Sequence, residues 1–239
     1  MNLIRVIALL LLCSPALAQR DIDFKPLEWP ASGSIVIPVA EGEALTGLAA
    51  ALDERTGGAL TMAVAEAAFT GEEHQTLTLF GIKPYARIDL VGVGGEPVDR
   101  IGAEEFGGLA ASLNDGASGT GVSILWSGIE RNDNATAARV AFGYRLGDYR
   151  FDRYQQERLE ADKRGSVIIY SDDADAGEQF DGDLVHLASA VYLARDLSSE
   201  PGNIIYPQSF VDRTREAFRG LKNVKIRVVD ETDMKRLGM

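Results

Sequence analysis

The chain has 239 residues, of which 46% are hydrophobic, and a formal net charge of −12. This length and hydrophobic content suit one domain with an ordinary buried core, or one and a half domains. Nonspecific affinity for nucleic acid comes from phosphates that Lys and Arg neutralise, so such an acidic chain is not expected to bind nucleic acid.

The first eighteen residues are typical of a cleavable secretory signal peptide. Arg5 supplies a positive charge, a short apolar run follows, and Ala16-Leu17-Ala18 matches a small-x-small cleavage site. A buried N-terminal core helix is the alternative, but it does not account for the cleavage pattern. The run is shorter than the roughly 20 residues that span a bilayer, and Leu12 before Cys13 does not suit lipid attachment. We therefore predict a secreted or periplasmic protein without a membrane anchor, starting at Gln19 and lacking cysteine.

Short apolar, β-branched runs alternate with amphipathic stretches up to residue 170. The runs predict strands at residues 34–39, 75–80, 87–93, 122–126 and 166–170. Apolar residues at helical spacing predict helices around Leu45–Leu52, Phe106–Leu113 and Ala135–Phe142. Residues 19–32 have no clear period and are expected to be an extended lead-in. This alternation predicts an α/β fold with a mixed or largely parallel sheet.

Residues 172–183 are rich in acid and glycine, and we predict that they form a solvated linker. The carboxylate spacing does not match a calcium-binding loop. The predicted boundary gives an N-terminal domain of residues 19–175 and the beginning of a second domain in residues 176–239. The second part is predicted to contain a long helix over Leu184–Ser199, a helix from Pro207, a strand at Val224–Val229 and a short helix at Glu231–Leu237.

The sequence offers few candidates for catalytic or metal-binding residues. The two histidines, His74 and His186, have no partner at His-x-x-x-His spacing. We interpret His74 as a solvated loop residue and His186 as structural. Neither a G-x-S-x-G elbow nor a Walker-type lysine loop occurs.

The glycine-rich turn Gly92–Gly95 follows a predicted strand and could present backbone N–H groups to an anion. However, Pro97 occupies the last position of the G-x-G-x-x-G pattern. A plain strand-to-helix turn is therefore the preferred interpretation. Arg195-Asp196 is by itself expected to be an ion pair at the surface or between domains, worth at most about 1 kcal/mol when exposed.

Three segments, in the correct order, resemble the M17 leucyl aminopeptidase family. Gly147–Tyr154 is similar to its G-x-Y-x-F-D-x-Y run. Ala194–Asn203 is similar to its A-R-D-L-x-N-E-P-A-N run, with Ser199 in place of Asn and Gly202 in place of Ala. Val228–Met239 is similar to its V-x-D-E-x-x-[ML]-x-x-x-G-M run.

This resemblance implies a macro-domain-like N-terminal domain, joined by the Leu184–Ser199 helix to the start of a catalytic α/β domain. It also implies a hexameric aminopeptidase that acts on peptides with two divalent metals, zinc or manganese. The family binds these metals in segments resembling D-x-K-G-D-M and N-T-D-A-E-G-R, and neither occurs in residues 1–239. No residue here is therefore assigned a catalytic or metal role, and we predict that the chain alone is inactive. The alternative is a free-standing macro-like module for binding or oligomerisation, with a nucleotide-type ligand at Gly92–Gly95.

Overall fold

The computed structural model of this protein describes residues 20–115, 121–155 and 165–239, so the predicted signal peptide lies outside the described residues. Contacts between Cα atoms divide the chain into two compact units, with the boundary between Ser189 and Ala190. The domain boundary predicted at residue 175 remains a prediction.

The first unit is built on a six-stranded mixed sheet. Its strands are β1 (Ile22–Pro26), β2 (Gly33–Val39), β3 (Thr76–Phe80), β4 (Tyr85–Gly92), β5 (Val122–Trp126) and β6 (Val167–Ser171). The spatial order is β1-β6-β5-β2-β4-β3. The pairs are parallel except for β3, which runs antiparallel to β4 at one edge. The α/β architecture with a largely parallel sheet is therefore confirmed.

Helices cover both faces of this sheet. They are α1 (Gly47–Arg55), α2 (Ala59–Glu66), α3 (Arg100–Leu113), α4 (Ala137–Gly147), α5 (Ala176–Gln179) and a π-helical turn (Phe180–Leu184) that leads into α6 (Val185–Ser199). Among the described residues, no helix is long and apolar enough to cross a membrane.

The core consists of two layers, one on each face of the sheet. Side chains alternate along β2, so Ile35 and Ile37 join the layer under α1 and α2, whereas Val36 joins the layer under α3 and α4. Strands buried on both faces are expected to form continuous apolar runs. This explains why the sequence of β2 predicted a buried strand correctly.

Helices α3 and α4 approach each other closely because glycines line their contact. A Cβ on Gly107 would overlap the carbonyl oxygen of Val140, and a Cβ on Gly143 would overlap that of Glu104. Gly147 is also tight, since its Cβ would lie 2.8 Å from the Gly108 carbonyl oxygen. Backbone therefore packs directly on backbone along this contact.

A buried polar network ties the N-terminal segment to α3 and α4. Arg20 is only 2% exposed, and its guanidinium donates to the Tyr144 hydroxyl and the Asn114 carbonyl, both at 2.9 Å. Its Nε lies 3.6 Å from a carboxylate oxygen of Asp148, which is also buried. The guanidinium is hydrogen-bonded through its two terminal nitrogens and lies near a buried carboxylate, so part of the cost of burying these charges is offset.

The acidic segment after β6 is not a solvated linker, so that prediction was wrong. Ala176, Phe180 and Leu184 are buried in the layer under α3 and α4. Their spacing of four residues places them on one helical face. The prediction relied on the high content of acidic residues and did not consider these three apolar residues at helical spacing.

The second unit contains the rest of α6, then α7 (Pro207–Ala217) and α8 (Glu231–Leu237). No residue of α7 or α8 is buried. The strand predicted at Val224–Val229 is absent: residues 224–230 have no regular secondary structure. A strand needs a neighbour for its backbone hydrogen bonds, and residues 190–239, all described, contain no strand.

Candidate functional site

The carboxyl ends of β2 and β5 form the position where an open α/β sheet of this kind usually holds a ligand. After β2 the chain forms β3 and β4 on one side of β2, and it then crosses over to form β5 on the other side of β2. This reversal of direction in the strand order defines the topological switch point. Here α1 closes the crevice, because a Cβ on Gly47 would overlap the carbonyl oxygen of Gly128. Both glycines have positive φ, +53° and +71° respectively. Backbone therefore packs directly against backbone at this end of the sheet.

Three of the four N–H groups in the glycine turn after β4 are already used in backbone hydrogen bonds. Gly92 N donates to the Gln75 carbonyl at 2.7 Å, Val93 N to that of Val39 at 3.0 Å, and Gly94 N to that of Gly71 at 3.1 Å. The preferred interpretation, a structural turn, agrees with this geometry. The proposed nucleotide-type ligand at Gly92–Gly95 is not favoured.

A cluster of ligand-type side chains lies beside this turn, at the carboxyl end of β4. Glu73 and His74 come from the turn that precedes β3, and Glu105 comes from α3. His74 Nε2 lies 2.9 Å from Glu105 Oε2, and one ligand atom from each of the three residues lies within 4.8 Å of the others. We call Glu73, His74 and Glu105 the His74 cluster.

The His74 cluster lines a shallow surface pocket that is open to solvent. The other lining residues are Gly92, Val93, Gly102, Phe106 and Leu109. The pocket therefore has an apolar floor and a rim that carries one imidazole and two carboxylates. This combination can bind a cation or exchange a proton.

The hydrogen bond with Glu105 is the main cause of a raised pKa at His74. Slight desolvation acts in the opposite direction, and the negative charges of Glu105 and Glu73 add to the increase. The imidazole is therefore protonated more readily than an ordinary histidine. As the sequence predicted, His74 is an exposed loop residue, but its pairing with Glu105, 31 positions away, left no signal in the sequence.

A second charged group lies at the carboxyl ends of β5 and β6. Arg131 Nη2 contacts carboxylate oxygens of Asp172 at 2.9 Å and Asp173 at 2.7 Å. Asp173 also accepts a hydrogen bond from Ala137 N at 2.6 Å, which satisfies the first turn of α4. Burial tends to lower the pKa of Arg131, but these carboxylates raise it overall. The group is internally paired and acts as a structural connection.

The remaining candidates from the sequence do not join the His74 cluster. His186 is exposed near the start of α6, outside the His74 cluster. Arg195 and Asp196 are half-buried on the same helix, in the second unit.

The motif segments have clear structural roles. In Ala194–Asn203, the buried Glu200 accepts a hydrogen bond from Arg213 Nη1 at 2.6 Å, and the Pro201 carbonyl accepts from Ile204 N at 2.8 Å. In Val228–Met239, Asp230 caps α8 by accepting from Asp233 N at 2.8 Å, and Gly238 ends it at φ +76°. These motifs therefore shape a turn and a helix.

Comparison with known proteins shows which class of protein this fold and these motifs define. Residues 36–158 match the model of the cytosol aminopeptidase family, N-terminal domain. The chain belongs to this family, the M17 aminopeptidases, which are metal-dependent peptide hydrolases.

Curated relatives are similar along nearly the whole chain. A probable cytosol aminopeptidase of Caulobacter vibrioides is 36% identical over 229 residues, which cover 91% of this chain and 44% of the relative. A cytosol aminopeptidase of Pseudomonas aeruginosa is 28% identical over 218 residues, with 87% and 44% covered. The chain thus spans less than half the length of these relatives.

Solved structures share the fold at low sequence identity. A mutant of tomato leucine aminopeptidase matches with a TM-score of 0.75 and 20% identity, over 92% of this chain and 46% of that one. The bottromycin maturation enzyme BotP in complex with Mn matches with a TM-score of 0.58 and 19% identity, over 87% and 40%. These matches confirm the predicted fold.

Proposed function

We propose that this chain is the N-terminal portion of an exported leucyl aminopeptidase. The observation that carries the proposal is the family match over residues 36–158, followed by the Ala194–Asn203 and Val228–Met239 motifs in the expected order. In the whole enzyme, two zinc or manganese ions would activate water and polarise the scissile carbonyl. Peptides are the substrates in this proposal, and the assembly is a homo-oligomer, a hexamer by analogy with the family.

The chain alone is proposed to be inactive. The segments resembling D-x-K-G-D-M and N-T-D-A-E-G-R, which hold the family's metals, do not occur in residues 1–239. The residues of this chain therefore do not fit that metal pair.

Peptidase activity of the purified chain tests this proposal directly. The chain is incubated with Leu-p-nitroanilide and manganese, then with zinc, and nitroaniline release is followed. We expect no release above the rate in buffer. The full-length relative from Caulobacter vibrioides serves as the positive control under the same conditions. Hydrolysis that copurifies with the chain through two separate columns would show that the proposal of inactivity is wrong.

Export is a separate proposal, supported by the charge, apolar run and small-x-small pattern of residues 1–18. When the chain is produced in a Gram-negative host, the periplasmic fraction should contain a protein whose intact mass begins at Gln19. Ala18→Glu, which disrupts the cleavage site, should leave the precursor uncut. Periplasmic protein that still carries Met1 would contradict cleavage, and wild-type protein confined to the cytoplasm would contradict export.

A further inference from the structure

The His74 cluster has the donor set of a transition-metal site. Zinc binds imidazole nitrogen and carboxylate oxygen at about 2.0–2.2 Å, so two ligand atoms in a tetrahedral site lie about 3.3 Å apart. His74 Nε2 and Glu105 Oε2 are 2.9 Å apart, and the three ligand atoms span at most 4.8 Å. Rotation of the exposed Glu73 and Glu105 side chains can close the remaining difference.

The turn that carries Glu73 and His74 is held firmly in place. His74 N donates to the Gly92 carbonyl at 3.2 Å, and Gln75 N donates to that of Glu72 at 3.0 Å. The Gln75 side-chain oxygen accepts from Thr70 N at 2.8 Å and Gly71 N at 3.0 Å. The turn therefore presents its side chains from a fixed backbone, as a preorganised metal site requires.

The third ligand-type residue comes from an equally well anchored helix. Asp99 caps α3 by accepting from Ile101 N at 2.8 Å and Gly102 N at 2.9 Å. Phe106, the residue after Glu105, is almost fully buried, and its ring lies 4.9 Å from that of Trp126. Glu105 thus projects from a helix whose position is set by the core.

The charge balance of the His74 cluster favours a cation. Within residues 20–115, 121–155 and 165–239, neither Glu73 nor Glu105 forms an ion pair with lysine or arginine. The neighbouring Glu104 differs in this respect, since it pairs with Arg100 at 3.2 Å and Arg139 at 3.1 Å. Two carboxylates in the His74 cluster therefore face a single imidazole.

We propose that Glu73, His74 and Glu105 bind one divalent transition-metal ion, with zinc as the best match to their donor set. One imidazole and two carboxylates suit a borderline metal better than magnesium or calcium, which prefer all-oxygen ligands. Water completes the coordination from the open side of the pocket. The site is distinct from the family's catalytic metals, because the segments that hold those metals do not occur in this chain.

Zinc titration of the untagged full chain by isothermal calorimetry tests this proposal. We expect one zinc ion per chain. His74→Asn and Glu105→Gln should each weaken binding by about 10–100-fold or more, since even residues that only orient a ligand contribute that much. Circular dichroism of each variant should match that of the wild type, because all three side chains are exposed.

Two matched variants serve as controls. His186→Asn removes the other histidine of the chain, and Glu72→Gln removes an exposed carboxylate next to the His74 cluster. Both should bind zinc as the wild type does. The proposal is overturned if the wild type binds no zinc, if His74→Asn binds it equally well, or if His186→Asn is the variant that loses it. None of these results bears on peptidase activity, so this inference and the proposed function fail independently.

Discussion

Asp53 connects two helices through its carboxylate. The side chain lies near the end of α1 and accepts hydrogen bonds from Leu60 N at 2.8 Å, Thr61 N at 3.0 Å and Thr61 Oγ1 at 2.5 Å. It thereby satisfies N–H groups in the first turn of α2, which lack partners within the helix. Burial tends to raise the pKa of Asp53, but the hydrogen bonds from Thr61 and Leu60 outweigh it and lower the pKa overall.

Replacing Asp53 should reveal this contribution and its pH dependence. At neutral pH, Asp53→Ala should lower the free energy of unfolding by about 1 kcal/mol, as expected for the loss of a helix cap. Because the folded pKa lies below the unfolded value of about 3.9, the contribution of the charge is present above that pH. It is lost as the pH falls through the folded pKa.

Urea unfolding followed by tryptophan fluorescence, to which Trp29 and the buried Trp126 both contribute, measures this difference at neutral and acidic pH. The exposed neighbour Glu54 provides the control, and Glu54→Gln should unfold like the wild type at both pH values. A difference between Asp53→Ala and the wild type that is the same at neutral pH and below the folded pKa would contradict the linkage.

At the scale of elements, the contact between α3 and α4 depends on glycines, which have no side chain. Ala103, Gly107 and Ala111 repeat at four-residue spacing on α3, as do Gly143 and Gly147 on α4. Such spacing places small residues on one face of each helix, so the sequence does contain a signal for close packing. The predictions of α3 and α4 rested on apolar residues at helical spacing and did not include these glycines, although their spacing could have revealed the contact.

Gly143→Ala should destabilise the first unit by about 1–3 kcal/mol, the usual cost of overpacking a tight contact. The reason is that the new Cβ would overlap the Glu104 carbonyl oxygen. Gly108→Ala is the matched control, since its Cβ would meet only the Gly143 oxygen at an ordinary 3.8 Å. That variant should be neutral or more stable, because alanine favours the helix. Thermal unfolding of both variants compares them, and equal melting temperatures would contradict this account of the contact.

At the scale of the whole molecule, the two units differ in how much they bury. Strands β2 and β4 are nearly all buried, whereas α7 and α8 contain no buried residue. Exposed apolar side chains in the second unit include Tyr206, Phe210, Leu221, Val228, Leu237 and Met239. Local stability follows buried contacts and protected hydrogen bonds, so the second unit should open more easily.

Hydrogen exchange measured by mass spectrometry should show this difference. Peptides from Pro207–Ala217 and residues 224–230 should exchange their amide hydrogens well before peptides from β2 and β4. Peptides from α3, a well-packed helix, provide the comparison that separates burial from secondary-structure type. Equal protection of α3 and α7 would show that the second unit is as stable as the first.

The sequence predicted the strands that are buried on both faces, because their apolar runs are unbroken. It missed β1, whose alternating polar residues and Pro26 lie at a sheet edge, and α2, whose apolar residues do not form one stripe. It predicted a strand at Val224–Val229 because the local pattern is strand-like, although pairing depends on a distant partner. The His74 cluster depends on a contact between a turn and a helix 31 positions apart, which a single sequence does not encode locally.

The two edges of the sheet differ in how well they resist self-association. The edge at β1 carries Lys25, and Pro26, which has no N–H to offer a further strand. The edge at β3 reads Thr-Leu-Thr-Leu-Phe, without a charge or a proline, and Phe80 is 71% exposed there. An incoming extended segment could continue the hydrogen-bond ladder at β3 much more readily than at β1. Aggregation of concentrated samples by strand addition would therefore start from β3, and a lysine placed on that strand should improve solubility.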